Sequence, residues 1–305
     1  MAFTAKDVQA LRERTGCGMM DCKKALTEAD GDMEKAVEIL RERGLAAQTK
    51  NAGRIAAEGV VYAASTEKVG VILEVNSETD FVAKNEKFMD FVKACADAIV
   101  RENPADVDAL LQCDGGEGTI EEMLRDRILT IGENIKIRRF ERVEGTTAAY
   151  IHMGGVYATL VQFETSPEIA AKPEFQELGQ DIAMQVAAIN PSYLNEEEVP
   201  ASVIENEKEV RAAQLRQDPK NANKPANILE KIILGGLNKF YKEVCLLDQP
   251  FVKDDKMSVS QYVQSKAKEL GGEIKVVKFI RYEKGEGLEK RNEDFAAEVA
   301  AQINK

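Results

Sequence analysis

The chain has 305 residues, 44 % of them hydrophobic and 31 % charged. That composition excludes a disordered chain, and the length predicts about two or three domains. With 41 Lys and Arg against 53 Asp and Glu, the net charge of −12 argues against a main role in gripping phosphate backbones; no apolar run reaches the ~18 residues of a membrane span.

Residues 1–54 stand apart, with 10 Lys and Arg against 9 Asp and Glu. No signal-peptide-like apolar stretch opens the chain, and Asp7 and Glu13 are expected to lie in a folded domain. Thr4 and Asp7 form a helix-start signature before "VQALRERTG". Gly16 and Gly18 punctuate, and Asp21 is the expected N-cap of a second helix. Met33, Val37 and Leu40 share a face of a third helix that is expected to end at Gly44. A polar linker, "AAQTKNAGRIAAEG", is expected over 46–59.

From Gly59 the period changes to that of strands. "GVVYAAS" and "KVGVILEVNS" read as two strands, and a helix over 85–100 carries Phe88, Phe91, Val92, Cys95 and Ile99 on one face. "ADVDALL" and "TIEEMLRDRILTIGEN" read as further helices, and "IKIRRFERVEG" as a strand. Sliding the chain by 87 residues places 69–100 on 156–187 without a gap. Leu73 meets Leu160, Phe88 meets Phe175, and Cys95 meets Ile182. Apolar positions match through both the strand and the helix period, so the expected fold class is α+β, built on two repeated units with antiparallel sheets. Residues 195–237 interrupt the second unit with a helical hairpin, "EEEVPASVIENEKEVRAAQLRQ" and "ANILEKIILGGLNKFYKEV" around the turn "DPKNANKP", with Val203, Ile204 and Val210 as a thin seam. "VCLLDQPFV" and "EIKVVKFIRYEKGEG" read as strands, and "NEDFAAEVAAQ" as a terminal helix with Phe295, Ala296 and Val299 inward. The expected domains are 1–54, 55–143, 144–194 with 238–272, the 195–237 hairpin, and a strand–helix module over 273–305.

The search for catalytic chemistry fails. His152, placed at the start of a strand, is the single histidine, so every Ser-His or Cys-His arrangement would have to use it. No nucleophile elbow, phosphate loop or dinucleotide fingerprint occurs. Cys17, Cys22, Cys95, Cys113 and Cys245 are odd in number and contain no C-x-x-C pair. Free thiols in a reducing cytoplasm are expected, with no catalytic residue, no cofactor and no metal site. A thiol enzyme using Cys17 or Cys22 is the remaining enzymatic alternative. Binding is the better class. Met19 and Met20 are adjacent, and one helix face cannot bury both in so small a core. Asp80 and Phe81 sit where a strand turns into a helix, and their partners in the repeat are Pro167 and Glu168. The unit therefore does not require an aromatic at this corner, and Phe81 is expected to be exposed.

The stretches "LRERTGCGMMDCKKAL" (11–26), "LEVNSETDFVAKN" (73–85), "IGENIKIRR" (131–139), "DQPFV" (248–252) and "GEGLEKRNEDFAAEVA" (285–300) together resemble the bacterial translation elongation factor Ts family, in the same order along the chain. The resemblance implies an exchange factor that releases GDP from elongation factor Tu. It implies an N-terminal domain of the ubiquitin-associated type, two related core subdomains, a protruding hairpin and a C-terminal module. It carries a partner-binding and Mg²⁺-displacing role to Thr79, Asp80, Phe81 and Val82. It makes Arg12, Met19, Met20, Ile131, Gly132, Asn134 and His152 further contact candidates. Ser77 stands where that family commonly has a cysteine, so no cysteine chemistry is implied there. A non-catalytic adaptor binding through the N-terminal helices is the alternative, and the hairpin could pair two copies, bind the partner, or both.

Overall fold

A computed structural model describes residues 3–217 and 224–289. The first three helices are α1 (Ala5–Thr15), α2 (Met19–Glu28) and α3 (Met33–Asn51). Thr4 and Asp7 form a reciprocal capping box at α1, with the Thr4 N–H donating to Asp7 at 2.6 Å. Gly18, not Asp21, is the N-cap of α2, and Asp21 lies in its first turn. Asp32 caps α3 by accepting from the N–H groups of Glu34 and Lys35. Leu11, Cys22, Ala25, Leu26, Ala36 and Leu40 form the buried centre of this bundle.

The first sheet comprises β1 (Glu58–Ser65), β2 (Val69–Ser77) and β3 (Lys136–Glu144), antiparallel in that order. Between β2 and β3 lie a 3-10 turn (Val82–Lys84), α4 (Glu86–Glu102), α5 (Val107–Gln112) and α6 (Ile120–Ile131). Phe88, Phe91, Cys95 and Ile99 of α4 pack with Val71, Leu73 and Val75 of β2 and Ile128 of α6. The expected helix end at Gly44 is overturned here, because α3 runs on to Asn51. Gly44 is buried against α6, where a Cβ would lie 3.4 Å from the Arg125 carbonyl oxygen. The glycine thus serves a close helix–helix approach rather than a stop, and residues 46–51 of the expected linker are helical.

The second sheet comprises β4 (Thr146–His152) and β5 (Tyr157–Thr165), completed late in the chain. After β5 come α7 (Pro167–Ala170), α8 (Pro173–Ile189), α9 (Ala201–Gln217), α10 (Ala226–Val244), β6 (Pro250–Phe251), β7 (Asp254–Ser258), α11 (Val259–Leu270) and β8 (Ile274–Glu283). β8 pairs along all of β5, giving the order β4-β5-β8. A boundary at 273 would therefore cut a strand from its own sheet. "VCLLDQPFV" yields a 3-10 turn (Leu246–Asp248) and the two-residue β6 rather than a full strand. No sequence-based expectation covers α11, although a Ser258–Gln261 capping box and a left-handed Gly271 mark its ends. α9 and α10 lie against each other, but Val210 is exposed and not part of a seam. Most of the "DPKNANKP" turn and the terminal helix with Phe295, Ala296 and Val299 lie outside the described residues.

The two sheets face each other. Val61, Ala63, Ile72 and Val143 of the first meet Ala158, Leu160, Ile280 and Tyr282 of the second, while α4 to α6 cover the outer face of one sheet and α8 and α11 that of the other. β2 is buried on both faces, which is why it reads as a nearly continuous apolar run. Glu74 interrupts that run and is fully buried. Its carboxylate accepts from Arg138 at 3.0 Å, Arg139 at 2.8 Å, Asn76 Nδ2 at 3.0 Å and the Gly285 N–H at 2.8 Å. Arg139 also stacks over the Tyr282 ring at 4.0 Å. Gly285 has φ +68, and a Cβ there would collide with the Ala57 carbonyl, so this close approach needs glycine. The residues after β8 are thereby tied into the first sheet. The protein is thus an α+β fold built on small antiparallel sheets. No described helix is long and apolar enough to cross a membrane.

Candidate protein-binding site

β2 ends at Ser77, and the chain turns through Glu78, Thr79, Asp80 and Phe81 before the 3-10 turn. Val82 is only 5 % exposed and packs in the first unit's core with Phe88 and Phe91. It anchors the corner from inside, so it is not a contact residue. Phe81, one position earlier, is 78 % exposed, and Asp80 beside it is exposed as well. Asn85 caps α4 by accepting from the Phe88 N–H.

A second turn holds this corner from outside. Glu133 follows the end of α6 and accepts three hydrogen bonds from the corner. They come from the N–H of Glu78 at 3.1 Å, the N–H of Thr79 at 2.9 Å and the Thr79 hydroxyl at 2.6 Å. Glu78 returns the arrangement by accepting from the Asn134 N–H at 2.7 Å and pairing with Arg54 at 3.2 Å. Asn134 is 2 % exposed and donates its side-chain amide to the Arg54 carbonyl. It is an internal strut, and its side chain has almost no exposed surface. Gly132 is exposed, and Ile131 is half-buried against the core. Glu133 was missing from the expected site residues. Its one signal in the sequence is a carboxylate placed directly after a helix-ending glycine.

The helical bundle reaches the same neighbourhood. Lys87, in the first turn of α4, donates to the Gly16 carbonyl at 3.3 Å, and Arg127 of α6 donates to the Lys87 carbonyl at 3.2 Å. The turn that precedes Met19 is thus joined to the helix that follows Phe81. Met19 and Met20 are both exposed, at 45 % and 62 %, and Arg12 is exposed too. Two large flexible apolar side chains in water are a feature of adaptable contact surfaces.

His152 closes β4 instead of opening a strand. Its Nδ1 lies 3.0 Å from the Tyr150 hydroxyl, and its ring lies against Tyr150 and Tyr157. Among the described residues, none of its hydrogen bonds or ring contacts reaches 79–82. Met153 next to it has φ +50 and is largely exposed, which sequence spacing did not signal. The turn it belongs to is fixed to the first sheet by Val61 N–H donating to Gly155 at 2.9 Å.

The thiols have the wrong environment for nucleophiles. All five are buried, and burial pushes each of them up, Cys245 to about 12. Among the described residues, no group of three or more His, Cys, Asp or Glu is arranged to hold a metal ion. What the surface offers is an exposed aromatic on a pinned corner with a carboxylate beside it, and exposed methionines on the helix after the Gly16 turn. Such anchors carry binding energy when a partner desolvates them.

A family model described as Elongation factor TS matches residues 78–286. Elongation factor Ts of Clostridium perfringens (strain SM101 / Type A) is 48 % identical over 304 residues, covering 98 % of each chain. That of Trichlorobacter lovleyi is 48 % identical over 310 residues, covering 99 % of this chain and 98 % of the relative. That of Clostridioides difficile (strain 630) is 50 % identical over 306 residues, covering 99 % of both. With a family match that runs from the Glu78 corner past the end of β8, and relatives similar from end to end, the chain belongs to the elongation factor Ts family of translation factors.

Proposed function

We propose that this protein is a non-catalytic guanine-nucleotide exchange factor that works in the cytoplasm, binds elongation factor Tu carrying GDP and promotes GDP release. The observation that carries the reading is Phe81, exposed on a corner pinned from inside by Val82 and from outside by Glu133. A GTPase holds GDP through phosphate contacts and Mg²⁺, and Mg²⁺ demands near-octahedral geometry at about 2.0–2.1 Å. A small displacement of the surrounding loops is then enough to weaken it. An aromatic wedge that fits the displaced conformer better than the GDP-bound one shifts the population toward release. Coupling is reciprocal, so GDP weakens the factor by the same ratio, and incoming GTP completes the cycle by displacing it. Phe81 is the wedge, Asp80 engages polar groups beside it, and Arg12, Met19 and Met20 add contact area from the bundle. No covalent step and no resident cofactor are required. The net charge of −12 favours a protein partner over direct nucleic-acid binding.

The test is stopped-flow release of a fluorescent GDP from elongation factor Tu. Phe81→Ala is expected to slow maximal stimulated release roughly thirtyfold, with a smaller effect on complex formation. Unchanged stimulated release would remove the wedge. The exposed Met19 and Met20 favour one second reading, an adaptor that binds through the bundle. An adaptor would form the complex and leave release at its spontaneous rate.

A further inference from the structure

Phe81 is 78 % exposed, so its direction depends chiefly on how the backbone of 79–82 is held. We infer that Glu133 is a positioning residue for nucleotide exchange, acting through Thr79 to hold Phe81 in its working direction. The inference rests on the exchange reading above and adds to it the group that prepares the site.

The geometry is a reciprocal clasp between two turns more than fifty residues apart. The Glu133 carboxylate takes the N–H groups of Glu78 and Thr79 on one oxygen and the Thr79 hydroxyl on the other. Glu78 takes the N–H of Asn134 in return. Hydrogen bonds to a carboxylate are shorter and stronger than neutral ones, so this clasp is stiffer than an ordinary loop contact. The repeated unit shows what a corner looks like without it. There Ser166 caps its own short helix by accepting from the Ile169 N–H, while Thr165 and Lys172 donate to the distant Glu273 and Leu270 carbonyls. The fold can therefore close this corner without a carboxylate that takes its N–H groups. The long-range clasp occurs on the copy that carries the exposed aromatic, and a preorganised side chain loses less freedom on binding than a mobile one.

The experiment measures fluorescent-GDP release from elongation factor Tu across factor concentrations, for the full-length chain and five variants. Glu133→Ala is expected to lower the maximal rate about tenfold while the half-saturating concentration moves less than about twofold. Glu133→Gln keeps a side-chain oxygen for the two N–H groups, and its amide can donate to the Thr79 hydroxyl, so it should restore the rate to within about threefold of the native protein. In a Phe81→Ala background, Glu133→Ala should have almost no further effect, because the group it positions is gone. Hydrogen exchange supplies a readout independent of release: the Thr79 amide loses protection in Glu133→Ala while the Val71 and Leu73 amides of β2 keep theirs. Should β2 lose protection as well, Thr79→Val carries the test, since it removes one hydrogen bond at nearly constant shape. It is then expected to slow release about threefold.

Additive effects of Glu133→Ala and Phe81→Ala, an effect confined to half-saturation, or full release with an unprotected Thr79 amide would each overturn the positioning role. Failure of Phe81→Ala itself to slow release would instead overturn the exchange reading beneath it, so the two failures are separable.

Discussion

One copy of the repeated unit runs from β2 through the 79–84 turn into α4. The other runs from β5 through α7 into α8. Their helices are both 17 residues long, start 87 residues apart at Glu86 and Pro173, and end on left-handed Asn103 and Asn190. Val82 and Ile169 occupy the same place and are both buried, whereas Phe81 is exposed where the other copy has an exposed Glu168. Inside the strands the copies correspond at 88 residues rather than 87, because the bulge follows Glu74 in one and Gln162 in the other, and Glu74 is fully buried where Gln162 is half-buried. The fold needs an apolar side chain at the 82/169 position and asks nothing aromatic of its neighbour. The differences between copies thus separate what builds the unit from what the first unit does beyond building itself.

The largest effect is expected from erasing the buried difference. Glu74→Val removes the buried carboxylate that the second strand does without, and strips Arg138, Arg139 and the Gly285 N–H of their acceptor. Removing one member of a buried ionic cluster costs about 3–5 kcal/mol, which chemical denaturation would show as a lowered midpoint. An unchanged midpoint would mean that the two arginines find water without loss. Next comes the corner. Phe81→Glu gives the first copy the residue of the second and should lower maximal stimulated GDP release about a hundredfold. Because Phe81 is exposed, the melting temperature should move by no more than about 2 °C. A large drop in melting temperature would show that the aromatic belongs to the fold after all. Third, Val82→Ala removes the inner anchor: about 2 kcal/mol should be lost in equilibrium unfolding from a buried cavity, and release per folded molecule should fall less than for Phe81→Glu.

Much of this comparison was legible in the sequence, because apolar periodicity records burial directly. Phe88, Phe91, Cys95 and Ile99 repeat at helical spacing and do face the sheet. What escaped were features whose partners are remote in the chain. Glu74 reads as an ordinary charge in a strand, and its burial depends on Arg138, Arg139 and Gly285, up to 211 residues away. β8 reads as a detached terminal strand because its pairing with β5 crosses more than a hundred residues. Gly44 carries a stop signal locally, and only the approach of α6 shows its other use. At the candidate site, Phe81 and the two methionines could be singled out from residue type and from the repeat. Val82 and Asn134 could not be told from surface residues, since a corner gives no period to read. Glu133 left a single weak mark, its place after Gly132.

The smallest effect tests a third asymmetry, the packing of the helical bundle on the first unit, where α3 lies along α6. Asp126 on α6 lies in this region, and burial lifts its carboxyl above the usual carboxylate range despite Arg127 and Arg41 nearby. A carboxyl that holds its proton more tightly folded than unfolded loses stability as pH rises from the unfolded value through the folded one. At neutral pH the whole penalty of burying the ionised form is present. Asp126→Asn removes that charge at almost constant shape, so it should raise the melting temperature slightly at pH 7. The gain should shrink as pH falls toward the ordinary aspartate value of about 3.9, where both proteins are neutral at this position. Melts at pH 7 and pH 4.5 compare the two. An equal gain at both would mean that packing or hydrogen bonding, not titration, separates aspartate from asparagine here. A loss at pH 7 would mean that Arg127 and Arg41 do more for the charged form than burial does against it. In that case the bundle is held to the first unit by an ion pair as well as by its close-packed helices.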